Sequence, residues 1–224
     1  MLLQIGNYCS RYYSFYQYLR DSLINSILNT QEERGQEFLN ALSKLPVKSV
    51  LRGVDFHIYK HYPQKGRLTL RDYFGGESLG YEEALSDMKW KLSNDTLTVC
   101  GYLCKKATTT FRGRNYTVWY TREIPVNDGP WKFNGLPGLI LKAIDAQGFF
   151  SFECTAIDRS KEIKLLNISS ISRKLSRTEY NKVLQRYLDN SGAYMSGSPT
   201  MQDTPFPASA YKKKPYNPIE RTDE

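Results

Sequence analysis

The run from Gly129 to Leu141 constrains the fold of this chain more than any other stretch. It packs three glycines, two prolines and two large aromatic residues, Trp131 and Phe133, into a short segment. Glycine and proline at such density are typical of a shaped turn, and an apolar stretch follows at once. We therefore predict a stiff loop that leads into a strand over Leu139–Asp145.

The turn inside this run has a specific expected geometry. Proline presets φ at the first central position of a type II turn and glycine accepts a positive φ at the second, so Leu136-Pro137-Gly138-Leu139 predicts that turn. Leu136 precedes a proline and is therefore biased towards extended backbone. Two interpretations of the run stay open. It is either an architectural loop anchored by Trp131 and Phe133, or a ligand-facing rim lined by those two side chains.

Alternating and β-branched segments on both sides of the loop predict an antiparallel sheet. Residues Leu97–Phe111 read as one strand, Arg112-Gly113-Arg114-Asn115 as a turn, and Tyr116–Thr121 as the return strand. A second hairpin joins Leu139–Asp145 to Phe149–Ile157 across residues 146–148. Because short connections place consecutive strands side by side, we expect all of these strands in one sheet of an α+β fold.

The residues ahead of position 90 predict a helical hairpin and a further β-hairpin. Helical spacing of apolar residues continues over 14–45 and ends at Leu45-Pro46. Val54–Tyr59 and Leu68–Tyr73 predict two strands around a turn at residues 63–66. The acidic stretch Tyr81–Asp87 predicts a loop.

The residues after the second hairpin predict one more strand, over Ile163–Ile168, and a helix. Ser176-Arg177-Thr178-Glu179 fits a capping box, and apolar residues at helical spacing follow it. After Asn190 the composition shifts to Ser, Gly, Pro and Lys, which predicts a disordered tail over 191–224. The remaining 1–190 are expected to form a single domain.

The chain is basic, with a formal net charge of +8. Between Gly101 and Lys142, seven Lys or Arg residues stand against Glu123 and Asp128. A basic patch can bind nucleic acid, anionic lipid or an acidic partner, but no arginine-rich helix or nucleic-acid motif accompanies this charge. We therefore expect an ordinary solvated face and no nucleic-acid partner. No stretch has the roughly 20 apolar residues that a membrane-spanning helix needs.

Arg112 and Arg114 are the most notable pair within this basic region. Placed on either side of Gly113, they could form a fork for a phosphate or a carboxylate. The alternative is that both arginines belong to a solvated hairpin turn.

Neither the cysteines nor the histidines predict a metal site. On an extended segment Cys100 and Cys104 would lie roughly 13 Å apart, too far for a disulfide bond. A disulfide would have to cross to another strand, with Cys154 as the plausible partner of Cys104, and unpaired buried thiols are the alternative. His57 and His61 lack an evident third ligand on a shared face. We expect no metal and no cofactor.

Several established catalytic motifs are missing from the sequence. It contains no His-Glu-x-x-His, Cys-x-x-Cys or phosphate-binding glycine loop. Glu123, Asp128 and Asp145 flank the shaped loop and could act as acid and base, although Asp at a strand-to-turn junction commonly serves geometry.

Gly135-Leu136-Pro137-Gly138-Leu139-Ile140 is the signature of the GLPGLI family of Bacteroidetes, which has no assigned activity, and this chain resembles that family. The resemblance extends over about 90–153 and includes Phe111-Arg112-Gly113-Arg114, Trp119-Tyr120, Gly129-Pro130 and Asp145. It implies an exported periplasmic or cell-envelope protein built on a curved antiparallel sheet, as in the half-barrels of periplasmic lipoprotein carriers. Family members usually begin with a signal peptide and an early strand, so we expect that part to be missing before Met1.

Two classes of function stay open at the level of the sequence. The first, which we favour, is a non-enzymatic protein that binds a lipid, a peptide or an outer-membrane protein at the curved sheet, with Arg112, Arg114, Trp131, Phe133 and Asp145 as candidate contact residues. The second is a hydrolase or transferase whose site is built from the two arginines and the carboxylates that flank the loop. An apolar concavity would favour the first, and arginines and carboxylates meeting in one cleft would favour the second.

Overall fold

The computed structural model describes residues 1–19, 22, 56–159, 171–197, 208–213 and 217–221. In this part of the chain two open β-sheets and several short helices form an α+β fold. The strands are mainly antiparallel, and register shifts in two strand pairs of the second sheet mark irregularities of the kind that bend a sheet. The predicted fold class, with a curved and mainly antiparallel sheet, is confirmed.

The strands of the first sheet are β1 (Leu2–Ile5), β2 (Ser10–Tyr13), β3 (His57–Lys60), β4 (Arg67–Phe74), β5 (Glu77–Ala84) and β11 (Arg173–Lys174). They lie in the order β1-β2-β3-β4-β5-β11. Neighbouring strands are antiparallel except for β11, which runs parallel to β5. The predicted strand Leu68–Tyr73 lies within β4, and β3 covers the end of the predicted strand Val54–Tyr59.

The strands of the second sheet are β6 (Lys91–Val99), β7 (Tyr102–Phe111), β8 (Arg114–Thr121), β9 (Leu139–Asp145) and β10 (Ser151–Glu153). All five are antiparallel, in the order β10-β9-β8-β7-β6. The predicted pairing of Leu139–Asp145 with the following strand is confirmed, since β9 and β10 are neighbours in one sheet. The paired part of the return strand is shorter than the predicted Phe149–Ile157.

Two predictions about local structure were wrong. Leu97–Phe111 is not one strand, because Cys100 and Gly101, with φ of 50° and 82°, form a two-residue turn between β6 and β7. Tyr81–Asp87 is not simply a loop, because β5 continues to Ala84 and pairs along its full length with β4. Acidic residues are depleted in strands, so the acidic residues of this segment led to the prediction of a loop.

The main hydrophobic core lies between the two sheets and is rich in aromatic rings. Tyr81 of the first sheet, Tyr116 and Tyr120 of the second, and Phe133 of the loop before β9 are all nearly inaccessible to solvent. A smaller cluster includes Leu139 and Leu141, the residues of β9 on either side of Ile140, which belongs to the main core. The many tyrosines of the sequence therefore serve in part as core residues.

The predicted capping box starts helix α1, which spans Arg177–Asp189. The Ser176 hydroxyl accepts a hydrogen bond from the amide of Glu179, and the Glu179 carboxylate accepts one from the Ser176 amide at 2.8 Å. Tyr180 and Val183 turn into the main core. Among the described residues, no helix is both long enough and apolar enough to cross a membrane.

The prediction of a disordered tail from residue 191 onwards does not hold for the described part of that region. Ser191–Ser196 form a second helix, α2, and Ala208–Tyr211 form a 3-10 helix. Residues 217–221 pack against the second sheet. At the other end, residues 15–19 are helical, as predicted. The remainder of the predicted helical hairpin, apart from Ser22, and the predicted strand Ile163–Ile168 lie outside the described residues.

Candidate functional site

The segment Gly129–Gly138, which we call the signature loop, is fastened to the first sheet by one buried lysine. The Lys60 ammonium, at the end of β3, donates to the carbonyl oxygens of Gly129 at 2.6 Å and Phe133 at 3.1 Å, and forms an ion pair with Asp128. Burial lowers the pKa of Lys60, and the Asp128 carboxylate opposes that shift. Because an unpaired charge cannot be buried cheaply, this arrangement holds the loop in one position.

Both aromatic residues of the loop point into the core. Trp131 is 2% exposed and Phe133 is fully buried. The Phe133 ring makes an edge-to-face contact with Tyr116 at 4.9 Å, and Trp131 makes one with Phe111 at 5.5 Å. The interpretation of the loop as a ligand-facing rim required Trp131 to be partly exposed, so its burial favours the architectural interpretation.

Gly138 has a positive φ, but the turn that contains it is not of type II. Its φ is 156°, and its amide donates to the carbonyl of Leu136 at 2.8 Å, which closes a three-residue turn around Pro137. The amide of Leu139 donates to Ile124 instead of closing a four-residue turn. A β-carbon on Gly138 would overlap with the carbonyl oxygen of Thr121. Close approach of two backbones, and not the predicted turn type, therefore requires glycine here.

Arg112 and Arg114 do not belong to a solvated turn. Only Arg112 and Gly113, with φ of 51° and 74°, form the turn, so Arg114 already lies in β8. The two arginines are 9% and 3% exposed as residues. Arg114 donates to Asp145 at 3.0 Å, and Asp145 also accepts from the amide of Phe150 at 2.8 Å. Asp145 thus orders the turn between β9 and β10 and holds Arg114 in place.

A buried group of positive charges lies beside this hairpin, and we call Arg112, Arg114, Lys132 and Arg177 the cation cluster. The Lys132 ammonium contacts Glu83 and Glu220 at 2.6 Å each and donates to the Tyr81 hydroxyl at 2.8 Å. Burial alone would lower the pKa of Lys132, but Tyr81, Glu220 and Glu83 outweigh it, so the pKa is raised above its ordinary value.

Two arginines of the cluster, Arg112 and Arg177, contact the same two carboxylates as Lys132. Arg112 lies 3.2 Å from Glu83 and 4.0 Å from Glu220. Arg177, the first residue of α1, lies 3.4 Å from Glu83 and 2.9 Å from Glu220. Arginines and carboxylates therefore do meet in one place, but within a buried network in which each of these charges contacts a charge of opposite sign.

The carboxylates predicted to flank the loop have separate partners. Asp128 pairs with Lys60, Asp145 pairs with Arg114, and the exposed Glu123 accepts from the amide of Leu103 at 3.3 Å. The catalytic arrangement considered from the sequence, two arginines together with these three carboxylates, is not the arrangement that the structure shows.

The two histidines lie in different surroundings. His57 is buried and stacks on Tyr13 at 5.3 Å, and His61 accepts from the amide of Gly66 at 3.2 Å. No group of three or more His, Cys, Asp or Glu suited to a metal ion occurs in the described ranges.

The four cysteines are unpaired in the structure. Burial raises the pKa of Cys154 to about 11, and a hydrogen bond with Cys100 adds to the shift. Cys104 lies in the smaller hydrophobic cluster with Leu139 and Leu141, and Cys100 and Cys154 pack against that cluster. The exclusion of a Cys100–Cys104 bond rested on an extended segment, and that premise was wrong because Cys100 lies in a turn. The Cys104–Cys154 disulfide remains a prediction.

A cavity of about 860 Å³ lies between the outermost strands of the two sheets, β1 and β10, within the part of the chain that the structure describes. Its polar rim includes Gln4 and Arg11, which hydrogen-bond to each other at 2.8 Å, and Glu153 and Asp158. Its apolar wall comes from both sheets and from the chain after β10: Leu3, Ile5, Leu139, Leu141, Phe152 and Ile157.

Sequence reasoning missed five of the residues that organise these features: Lys60, Glu83, Lys132, Arg177 and Glu220. Lys60 lies in a short strand with no motif, and Glu83 lies in a segment whose acidic residues predicted a loop. Arg177 and Glu220 lie far along the chain from the hairpin that they contact. Only Lys132 carried a signal, because it belongs to the local excess of positive charge.

Comparisons with known proteins match part of the chain. A family model described as "Protein of unknown function (Porph_ging)" matches residues 112–142, from the Arg112 turn through the signature loop into β9. This match is consistent with the resemblance to a GLPGLI-type family. No curated protein matches the chain.

Two solved structures of PNGF-II, in the C2 and P21 space groups, are similar to this chain with 21% sequence identity and a TM-score of 0.47. The alignments cover 58% and 57% of this chain and 24% of PNGF-II. The chain thus spans about a quarter of that protein's length.

Proposed function

We propose that this protein is a non-catalytic binding protein of the cell envelope and that the cavity between β1 and β10 receives an extended peptide segment of a partner protein. The observation that carries the proposal is the position of an apolar cavity directly between two sheet edges. Such a position offers backbone hydrogen bonds and side-chain pockets to the same ligand.

The edge strands supply the backbone part of this recognition. Within the described residues, β1 pairs only with β2 and β10 only with β9, so each is the outermost strand of its sheet. An edge strand presents amide and carbonyl groups that an extended peptide can pair with by adding one more strand. A lipid chain could not use these groups.

The cavity wall supplies the side-chain part. Leu3 and Ile5 alternate with the polar rim residue Gln4 along β1, and Leu139 and Leu141 contribute from β9. A peptide strand of alternating apolar and polar residues matches this pattern, because its side chains also alternate between two faces. The charged side chains of the lining, Arg11, Glu153 and Asp158, stand among a majority of apolar and uncharged residues, which suits a binding cavity.

Selection from a displayed library of random peptides tests the proposal. We expect selected peptides to alternate apolar and polar residues, and to bind Ile5→Glu at least tenfold more weakly than the unaltered protein, because the glutamate would place a charge against the apolar wall. Leu103→Glu is the matched control: Leu103 is a 60% exposed leucine on β7, outside the cavity lining, and its change should leave the affinity unaltered.

A fluorescent fatty acid distinguishes the main alternative. The cavity is a lipid site, and the peptide proposal is wrong, if the fatty acid binds the unaltered protein but not Ile5→Glu and no selected peptide depends on the cavity for binding. Equal peptide binding by Ile5→Glu and Leu103→Glu would also contradict it.

A further inference from the structure

Residues 217–221 lie on the cation cluster in the way that a bound peptide would. The Glu220 carboxylate contacts Lys132 at 2.6 Å and Arg177 at 2.9 Å, and its side chain is 9% exposed. The segment itself forms neither helix nor strand. Its position therefore depends on the groups that surround it.

Arg114 binds the backbone of the same segment. Its guanidinium donates to the carbonyl oxygens of Pro218 at 2.7 Å and Ile219 at 3.1 Å, and to the side-chain oxygen of Asn217 at 2.7 Å. A planar guanidinium that contacts several oxygens at once fixes both position and direction of a bound chain.

Two further contacts complete the site. The amide of Arg221 donates to the carbonyl oxygen of Arg112 at 2.8 Å, which is a hydrogen bond of the strand-pairing type. The side chain of Ile219 packs against the main hydrophobic core. The site thus recognises an apolar side chain, a carboxylate after it, and the backbone that joins them.

The charge balance of the site favours a carboxylate at the position of Glu220. Arg112, Lys132 and Arg177 are buried together, and among the described residues Glu83 is the other carboxylate that they share. Without Glu220, these three cations would lose one of the two carboxylates that, among the described residues, they share. Incompletely compensated buried charges are unfavourable, so another anionic group would be attracted there.

We propose that the cation cluster is a binding site for acidic peptide segments, and that residues 217–221 occupy it as an intramolecular ligand. The ligand is an extended segment in which an apolar residue precedes Glu or Asp, as Ile219 precedes Glu220. The site is separate from the cavity between β1 and β10, so this inference does not rest on the proposed function.

A labelled peptide with the sequence of residues 216–221 tests the inference in the full chain. Glu220→Gln weakens the intramolecular competitor without removing the segment, so this variant should bind the peptide at least tenfold more tightly than the unaltered protein. The same peptide with Gln in place of Glu should bind the variant at least tenfold more weakly. Fluorescence anisotropy measures both affinities.

Two further variants keep the test decisive. Ile219→Ala loosens the segment without altering the charges of the cation cluster, and it should also increase peptide affinity, by a smaller factor. Asp95→Asn removes a 57% exposed carboxylate that pairs with Lys106 on β7 and lies outside the lining of the cavity between β1 and β10, and it should leave the affinity unchanged. If neither Glu220→Gln nor Ile219→Ala increases the affinity, or if the Gln peptide binds as well as the Glu peptide, the inference is wrong.

Discussion

At the scale of single residues, three polar contacts of the Lys60 ammonium hold the signature loop against β3: two backbone carbonyls and the Asp128 carboxylate. The lysine is fully buried, and Asp128 is 5% exposed. Removing one member of such a pair leaves an uncompensated charge, whereas removing both leaves only lost hydrogen bonds.

We therefore expect Lys60→Met to lower the free energy of unfolding by about 3–5 kcal/mol. The double variant Lys60→Met with Asp128→Asn should recover part of this loss, because Asn keeps an oxygen that can accept from the Gly129 amide. Urea denaturation of the single and double variants measures the difference. A double variant less stable than Lys60→Met would show that an uncompensated Asp128 charge is not the cause of the loss.

Gly138→Ala provides a second test at this scale. The added β-carbon would overlap with the Thr121 carbonyl, so we expect a loss of about 2–3 kcal/mol, within the range typical of overpacking. Gly148→Ala is the control, since Gly148 also has a positive φ, of 73°, but its β-carbon would meet no described atom within 4 Å. Chemical denaturation compares the two. If Gly148→Ala costs as much as Gly138→Ala, backbone strain alone explains both.

At the scale of elements, the signature loop and the helix α1 depend on different kinds of interaction. The loop is anchored by aromatic packing between the sheets, and α1 begins with hydrogen bonds that its own sequence encodes. Their responses to substitution should therefore differ in size.

Trp131→Ala should destabilise the fold by about 3–5 kcal/mol, because it leaves a cavity among Phe111, Tyr116 and Phe133. Trp119→Ala is the matched control, since Trp119 of β8 is only partly buried. Thermal and urea unfolding of both variants give the comparison. An unchanged melting temperature for Trp131→Ala would reinstate the loop as a ligand-facing rim.

Ser176→Ala should lower the free energy of unfolding by about 1 kcal/mol, the usual effect of losing an N-cap hydroxyl. Urea denaturation measures this loss, and an unchanged stability would contradict the role of the cap.

The hydrogen bonds from Ser176 lower the pKa of the exposed Glu179 carboxyl. A lowered pKa in the folded state means that this stabilisation is present above the ordinary pKa of glutamate and is lost as the pH falls through the lowered value. Glu179→Gln should remove that acid sensitivity in urea titrations between about pH 7 and pH 3. If the free energy of unfolding depends on pH in the same way in Glu179→Gln and in the unaltered protein, the Glu179 carboxylate does not contribute to stability.

At the scale of the whole molecule, the groups buried between the sheets determine how stability responds to alkaline pH. The pKa of Tyr81 is raised, mainly by burial, and that of Lys132 is raised because Tyr81, Glu220 and Glu83 outweigh the effect of burial. In both cases the folded state holds its proton more tightly than the unfolded state, so stability falls as the pH rises above the ordinary values, roughly 10 for Tyr and 10.4 for Lys. Lys60 contributes in the opposite direction. Because its pKa is lowered in the folded state, its contribution to stability increases as the pH rises, and this increase is complete at about pH 10.4.

We expect the free energy of unfolding to decrease from about pH 10 to pH 11.5, by up to about 1.4 kcal/mol per pH unit for each group. Tyr81→Phe removes one of these groups and should reduce the slope. Guanidinium denaturation at several pH values measures it. A constant stability over this range, or an unaltered slope in Tyr81→Phe, would show that these groups are not coupled to folding.

The sequence alone predicted the features that depend on neighbouring residues. The bounds of β9, the presence of the hairpins and the capping box of α1 follow from side-chain periodicity and turn chemistry, which act over a few residues. The need for glycine at position 138 was also predicted, although for a different geometric reason. The turn at Cys100-Gly101 is local too, but it lacks the usual Asn-Gly or Asp-Gly pair and was missed.

Only the tertiary structure determined which charges are buried and what they contact. Lys60 and Gly129 are 69 residues apart, and Arg114 and Asn217 are 103 residues apart, yet each pair is in hydrogen-bond contact. No pattern within a short window distinguishes such a lysine or arginine from an ordinary surface residue. Its burial depends on how two sheets pack, and its pairing depends on which carboxylate that packing brings within reach.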